Sequence, residues 1–243
     1  TKEKFHTING TPIAYWVRDS IFKIFDDATL LNEVLKARQG MSTTNNNKYI
    51  RKWYEIKYDK ISFSGNSEGI YEWFLYNKSG EHRKWYGNLY NILHYKDNGN
   101  ELLEMVRKKY PRISDPEFII KNRRFYFKEA ISWSMVSTKD FACRFVPKGS
   151  IFDISSPSIF ELGQERYYIM AYLNSKIASK LLGIINPTMN YNLGDIEVLP
   201  FISSCKYNTK IDSLVQHNII NSKLDWDSFE TSWDFKVHPL ANF

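Results

Sequence analysis

Cysteine is scarce in this 243-residue chain: Cys143 and Cys205 are its two thiols, and they stand in no ligand-like pair. That excludes a disulfide framework and a cysteine-based zinc site, and it fits a reducing, cytoplasmic compartment. Long apolar runs are missing as well. Stretches such as Ile184-Ile185 are interrupted within a few positions, far short of the roughly 18 apolar residues of a membrane span. No membrane partner is expected. The five histidines, His6, His82, His94, His217 and His238, are never close in sequence, so hydrolytic zinc chemistry has no visible site. No strand-like run leads into a glycine-rich turn and a following acid, the arrangement that would hold S-adenosylmethionine. Low-complexity segments and long repeat arrays are absent, and one tetrapeptide recurs, Arg51-Lys52-Trp53-Tyr54 and Arg83-Lys84-Trp85-Tyr86. It reads as chance or as two similar strand starts.

Aromatic residues and positive charge are abundant. Aromatics make up 16% of the chain and Lys+Arg exceed Asp+Glu by 33 to 27, a net charge of +6. Residues 81–150 hold most of the excess, with 14 basic against 8 acidic residues. Cations meet phosphates and flat rings meet bases, so such a chain suits a polyanion. The competing reading of the same totals is a tyrosine-rich β core beneath an ordinary surface. With 43% hydrophobic residues, the chain is long enough for one large domain, or a domain with a helical appendage, and too short for a multi-domain enzyme. It begins at Thr1 rather than Met, as an excised fragment would.

Hydrophobic period divides the chain. Thr11 as cap and Pro12 at the first helical position predict a helix carrying Ile13, Trp16, Val17, Ile21 and Ile24 on one face, followed by a short helix over 29–36. Aromatic and β-branched runs at Trp53 to Tyr58, Tyr71 to Tyr76, Phe125 to Val136 and Phe141 to Val146 predict strands. Ser64-Gly65-Asn66-Ser67, Asn77-Lys78-Ser79-Gly80, Asp97-Asn98-Gly99-Asn100 and Pro147-Lys148-Gly149 read as hairpin turns or loops. Residues 101–110 look helical. One long helix is expected from Tyr168 to Ile185, stopped by Asn186-Pro187, and another around 211–220. Trp226, Phe229 and Trp233 form an aromatic stripe on a helix, suited to docking on another surface. The expected fold is α/β (α+β): a twisted, mostly antiparallel sheet with an N-terminal helix, a long helix after the sheet and C-terminal helices.

Three motifs bear on chemistry. The segment from Arg38 to Arg51 is a polar loop hinged at Gly40, and its Arg38, Gln39, Asn46, Asn47 and Arg51 can pair bidentately with guanine or adenine edges. Its Thr44 and Lys48 suit phosphate, although a plain solvent loop has the same composition. Glu55-Ile56-Lys57 on a predicted strand, with Asp26 and Asp27 upstream, faintly matches the acid, acid-x-Lys arrangement of metal-dependent nucleases. Asn186-Pro187-Thr188-Met189-Asn190-Tyr191 is similar to the Asn-Pro-Pro-aromatic loop with which amino-methyltransferases hold a flipped adenine, but lacks the second proline and the following aromatic. It reads more simply as a helix-stopping turn.

Several segments together resemble the target-recognition region of adenine-specific DNA methyltransferases, in particular the PglX-type enzymes of BREX phage-defence systems and type IIG restriction-modification enzymes. They are Ala37-Arg38-Gln39-Gly40 with Thr44 and Asn46-Asn47, Phe74-Leu75-Tyr76-Asn77-Lys78 leading to Arg83-Lys84-Trp85-Tyr86-Gly87-Asn88, and Tyr126-Phe127-Lys128-Glu129 with Ile131-Ser132-Trp133-Ser134. Later pieces agree: Leu173-Asn174-Ser175-Lys176, Gly194-Asp195-Ile196, and Asp225-Trp226 through Asp234-Phe235. The resemblance implies a fragment that lies after a catalytic domain, lacks a cofactor of its own and is catalytically silent. The parent would methylate adenine N6 with S-adenosylmethionine. It further implies double-stranded DNA, the parent's methyltransferase domain and other defence-system subunits as partners. On this reading residues 1–36 are a helical lead-in, 37–202 the target-recognition domain and 203–243 a C-terminal helical segment. Arg38, Gln39, Thr44, Asn46, Asn47, Lys48 and Arg51 are the expected groove-entering group, and Arg83, Lys84, Lys121, Arg123, Arg124 and Lys128 the expected phosphate or base contacts. Trp85 and Trp133 could stack on a displaced base or fill the core. A metal-dependent nuclease and a protein-interaction module are the alternatives.

Overall fold

The computed structural model describes residues 17–66, 70–202 and 208–242. The expected cap at Thr11-Pro12 and Cys205 lie outside them. In chain order the elements are α1 (Asp19–Asp27), β1 (Thr29–Leu30), α2 (Leu31–Val34), β2 (Ala37–Arg38), α3 (Asn46–Tyr49), β3 (Ile50–Lys52), β4 (Ile61–Ser62), β5 (Trp73–Asn77), β6 (Asn91–His94) and α4 (Lys96–Lys109). There follow β7 (Ala130–Trp133), β8 (Cys143–Val146), β9 (Ser150–Phe152), β10 (Ser158–Ile159), α5 (Arg166–Leu173), α6 (Lys176–Ile185), α7 (Leu193–Glu197), β11 (Pro200–Phe201) and α8 (Asn208–Asp227).

The fold is mixed α/β with antiparallel pairing dominant, as expected, but its strands are shared among three sheets. A four-stranded sheet runs β2-β10-β7-β8 and is antiparallel throughout. A five-stranded sheet runs β3-β6-β5-β4, with β9 also on β5. Leu75 pairs with Ile92 of β6 and with Ser150 of β9. A strand has two edges, so β4 and β9 follow one another along the edge of β5 that β6 leaves open, both parallel to it. A short β1-β11 pair forms the third sheet.

Two large cores and one small one hold these layers. The first packs α1, α5, α6 and α8 against the four-stranded sheet through Phe22, Trp133, Met170, Leu181 and Val215. The second gathers Tyr49, Phe74, Tyr76, Leu102, Phe152 and Trp226. Ile61, Leu75 and Ile92 form the third, covered by Trp53, Phe63 and Trp233. Alternation along β5 explains the division: Phe74 and Tyr76 point to one core and Leu75 to the other. Trp133 is fully buried and its indole N–H donates to the Tyr191 carbonyl at 2.9 Å, which makes it core and removes it as a base-stacking candidate.

Three local expectations are corrected. Trp53 to Tyr58 is not a strand; Trp53–Glu55 and Tyr58–Lys60 are 3-10 turns. The Glu55 carboxylate accepts the Lys52 backbone N–H at 2.6 Å, which closes the first turn, and Tyr54 and Tyr58 stay exposed with no sheet face to cover. The long helix is two, α5 and α6, because Asn174 turns inward to bond both the N–H and the carbonyl of Cys143 at 3.0 Å, while Ser175 caps the new start through the Ala178 N–H. Pro147-Lys148-Gly149 is a turn, as expected, and it carries the chain from β8 into a different sheet at β9. Gly149, at φ +110, makes that change of sheet possible. The aromatic stripe is not on one helix, as α8 ends at Asp227. Trp226 is buried against Tyr90, and Trp233, beyond the helix, stacks on Phe63. Two of its three rings thus dock within this chain.

The repeated Arg-Lys-Trp-Tyr has no structural counterpart. The first copy runs from β3 into a 3-10 turn, whereas the second places Trp85 at φ +71 and bridges it to Arg144.

Candidate nucleic-acid interface

The polar segment 38–51 is a folded hook, not an open loop. β2 places Arg38 beside Ser158 of β10. Gly40 then passes so close to β9 that a Cβ there would lie 2.0 Å from the Phe152 carbonyl oxygen. Beyond it, the Thr43 hydroxyl is buried and donates to the Asn46 side chain at 2.5 Å. Asn45 caps α3 by accepting the Lys48 N–H at 3.2 Å. Thr44 sits at φ +54, and its carbonyl accepts from Lys109 at 2.9 Å. The hook is thereby fixed before any ligand arrives.

Its outer face divides in two. Asn46, Asn47 and Arg51 line an open cleft of roughly 430 Å³ with Lys78 and Asn91. Arg51 is held by the Asn47 carbonyl at 2.6 Å, and Lys78 by the buried Asp153 carboxylate at 2.9 Å. Lys48 turns away to Glu101 at 2.5 Å. That contact, before any other, holds the Glu101 carboxyl below the usual carboxylate range.

The second group centres on Phe125. The guanidinium of Arg38 lies 5.5 Å from its ring centroid, that of Arg124 4.8 Å, and the ammonium of Lys128 5.3 Å. Burial of the ring against Phe160 fixes the point on which these cations converge. Lys128 reaches Glu161 at 2.7 Å. The Glu161 carboxyl is held low first by the hydrogen bond from Lys128, with Arg124 and Arg38 contributing by charge alone. One exposed carboxylate therefore feels all three cations. Gln39 belongs to this side, accepting from Lys121 at 3.3 Å through its side chain and from Asn122 at 2.9 Å through its carbonyl. Next to it opens a cavity of roughly 680 Å³, whose lining includes Phe127, Lys128, Lys148, Glu161, Arg166 and Tyr167. Phe127 and Glu161 stand on its rim at φ +65 and +60, a conformation bulky L-residues rarely adopt.

The remaining expected contacts are drawn into the fold. Arg123 is engaged by the Tyr95 hydroxyl, Glu117 and the Asn98 carbonyl. Lys84 donates to the Asn174 carbonyl at 2.8 Å, and Arg83 lies over Trp226 and pairs with Asp225 at 3.0 Å. Sequence reasoning missed Lys78, Asn91, Lys148 and Arg166. Lys78 lay in a segment marked by the resemblance and in a predicted turn without being singled out as a contact, and Asn91 had no motif to mark it.

Neither catalytic alternative is assembled. Glu55 lies in a turn that it caps itself, and no group of three or more His, Cys, Asp or Glu able to hold a metal occurs among the described residues. Asn186-Pro187 is the helix stop: the Asn186 side chain accepts from the Thr188 N–H and hydroxyl and donates to Asp195.

Sheets of this connectivity, flanked by helices and bearing cations gathered on one ring, define a mixed α/β module. No family model matches the chain. It is 35% identical over 241 residues to the adenine-specific methyltransferase PglX of Lacticaseibacillus casei (strain Zhang), an alignment covering 97% of this chain and 20% of that protein. It is 33% identical over 240 residues to the adenine-specific methyltransferase BrxX of Escherichia coli O9:H4 (strain HS), covering 97% of this chain and 18% of that protein. The chain thus spans about a fifth of the curated relatives it matches, and the resemblance to PglX-type adenine-specific methyltransferases holds along nearly its whole length. Among solved structures, the type IIL restriction-modification enzyme MmeI, determined in complex with DNA, shares the fold at a TM-score of 0.57 over 85% of this chain and 30% of that one, at 11% identity. No helix among the described residues is long and apolar enough to cross a membrane.

Proposed function

We propose that this chain is the sequence-reading module of an adenine-N6 DNA methyltransferase of a phage-defence or restriction-modification system. The parent's S-adenosylmethionine-binding domain is then supplied by the remainder of the protein, and the fragment itself is catalytically silent. The observation that carries this reading is the convergence of Arg38, Arg124 and Lys128 on Phe125, next to the preformed hook that presents Asn46, Asn47 and Arg51. The cations supply phosphate contacts and the hook supplies amide and guanidinium groups for base edges. The similarity to adenine-specific methyltransferases and the fold shared with an enzyme determined on DNA support it.

The test is fluorescence anisotropy of a randomised duplex pool across a salt series, with sequencing of the bound fraction. Binding should weaken steeply with salt and enrich a short motif. Arg124→Ala should lower the salt slope by about one without changing the motif, whereas Asn47→Ala should relax the motif at one position. Absence of binding at low salt overturns the proposal.

A further inference from the structure

Arg144 in β8 carries a charge that nothing around it answers. It is 1% exposed, yet no carboxylate pairs with it among the described residues, and its one side-chain hydrogen bond there is a long one from Nη1 to the Ser134 hydroxyl, 3.4 Å. Nε and Nη2 are buried without a partner. Buried cations are ordinarily paired, because desolvation of a lone charge is costly. Burial accordingly depresses this guanidinium, the opposite of what a counter-ion would do.

The identity of the two idle donors is informative. Nε–H and Nη2–H lie along one edge of the guanidinium plane, the fork that receives two oxygens of one oxyanion. The pocket Arg144 lines is also bordered by His82, Arg83, Ser134 and Ser137, with Glu81 the one acid among its lining residues. Its free volume is about 10 Å³, room for a water-sized group and no more. Access to the fork therefore requires residues 80–83 to lift. These residues belong to no strand or helix, and they lead to Trp85 and Gly87 at positive φ.

We propose that Arg144 is a reserve fork for a DNA backbone phosphate, admitted when residues 80–83 move outward, with the Ser134 hydroxyl beside it. The inference rests on the DNA-binding reading above and names one contact of that interface. Glu81 at the mouth repels the incoming anion and keeps the fork selective for a group that is held in place by other contacts.

Inorganic phosphate has the same chemistry and serves as the probe. Thermal unfolding of the full chain is measured in phosphate against chloride at matched ionic strength, alongside the duplex salt slope, for wild type, Arg144→Met and Glu81→Gln. Phosphate should raise the wild-type midpoint, leave that of R144M unmoved and raise that of E81Q further. The duplex salt slope should fall by about one in R144M. Equal phosphate responses in wild type and R144M, or an unchanged slope, overturn the proposal while leaving DNA binding intact. If R144M does not fold, an E81Q response equal to wild type overturns it instead. A phosphate response that needs Arg144 in a protein that binds no duplex overturns the DNA source and the proposed function with it, and leaves an oxyanion site for small ligands.

Discussion

Three cations brought to one ring repel one another, and Phe125 and Glu161 are what make their proximity tolerable. A cation over an aromatic face gains about 0.5–1 kcal/mol at exposed sites, so Phe125→Leu should keep the fold but disperse Arg38, Arg124 and Lys128. We expect DNA affinity to fall several-fold, beyond the loss of about 1 kcal/mol in stability that reshaping a buried side chain brings, and an affinity that follows stability alone would contradict this. Cys143 gives a second residue-scale prediction. Burial pushes its thiol up to about 12 from 9.0, so the native state favours the protonated form. Its contribution to stability is complete below about pH 9 and is lost as pH rises toward 12. In a Cys205→Ser background, iodoacetamide at pH 8 should label the native protein far more slowly than the urea-unfolded one. At this scale the sequence was partly legible. Arg38, Arg124 and Lys128 were identifiable as cations, but their meeting depends on Arg38 coming from β2 and the others from the 123–128 turn, which no local pattern encodes. Arg123 was indistinguishable from Arg124 by type, yet one is tied to Tyr95 and Glu117 and the other lies over Phe125.

Elements here are shaped by what interrupts them. Period predicted one helix over 168–185, and the apolar face is indeed continuous, with Met170, Leu173, Leu181 and Leu182 in one core. The break at Asn174 was invisible because its cause is a strand 31 residues away, whose backbone at Cys143 it satisfies on both sides. Asn174→Ala should strand the buried Cys143 N–H, while the Cys143 carbonyl keeps the Trp85 N–H at 3.0 Å, and cost about 1–3 kcal/mol in urea denaturation. Gly40→Ala tests the hook in the same way. The added Cβ meets the Phe152 carbonyl, which already accepts the Met41 N–H at 3.0 Å. The loss should be about 1–3 kcal/mol, with DNA affinity falling further than stability accounts for, because the hook moves with its hinge. The strand expected over 53–58 failed for the opposite reason. Aromatic content imitates a strand, but Glu55 could cap its own turn more readily than a sheet could accept Tyr54 and Tyr58.

For the molecule as a whole, class and order were legible: helix, aromatic strands, then helices. The division into three sheets was not, because short strands of similar composition do not state their partners. Nor was the role of the C-terminal helix. Trp226 at its end packs on Tyr90 and lies under Arg83, so α8 closes the second core as well as lying against α5 in the first. Trp226→Ala should therefore cost about 3–5 kcal/mol in a single unfolding transition monitored by circular dichroism. A separate low-temperature transition would instead mark the C-terminal segment as an independent unit.

The parallel seating of β9 on β5 joins residues 75–77 to residues 150–152. Neighbours so far apart along a chain meet late, because a long loop must close before the contact forms. On a ribosome, β5 and β6 can pair while the next half of the protein is still being made, and part of one edge of β5 then stays unfilled until β9 emerges. The polar hook waits with it, since Met41 is anchored to Phe152 and Asp153. The surface proposed to read DNA thus takes shape only once β9 has emerged, later than β5 and β6 and ahead of the helices α5 to α8 that follow in the chain.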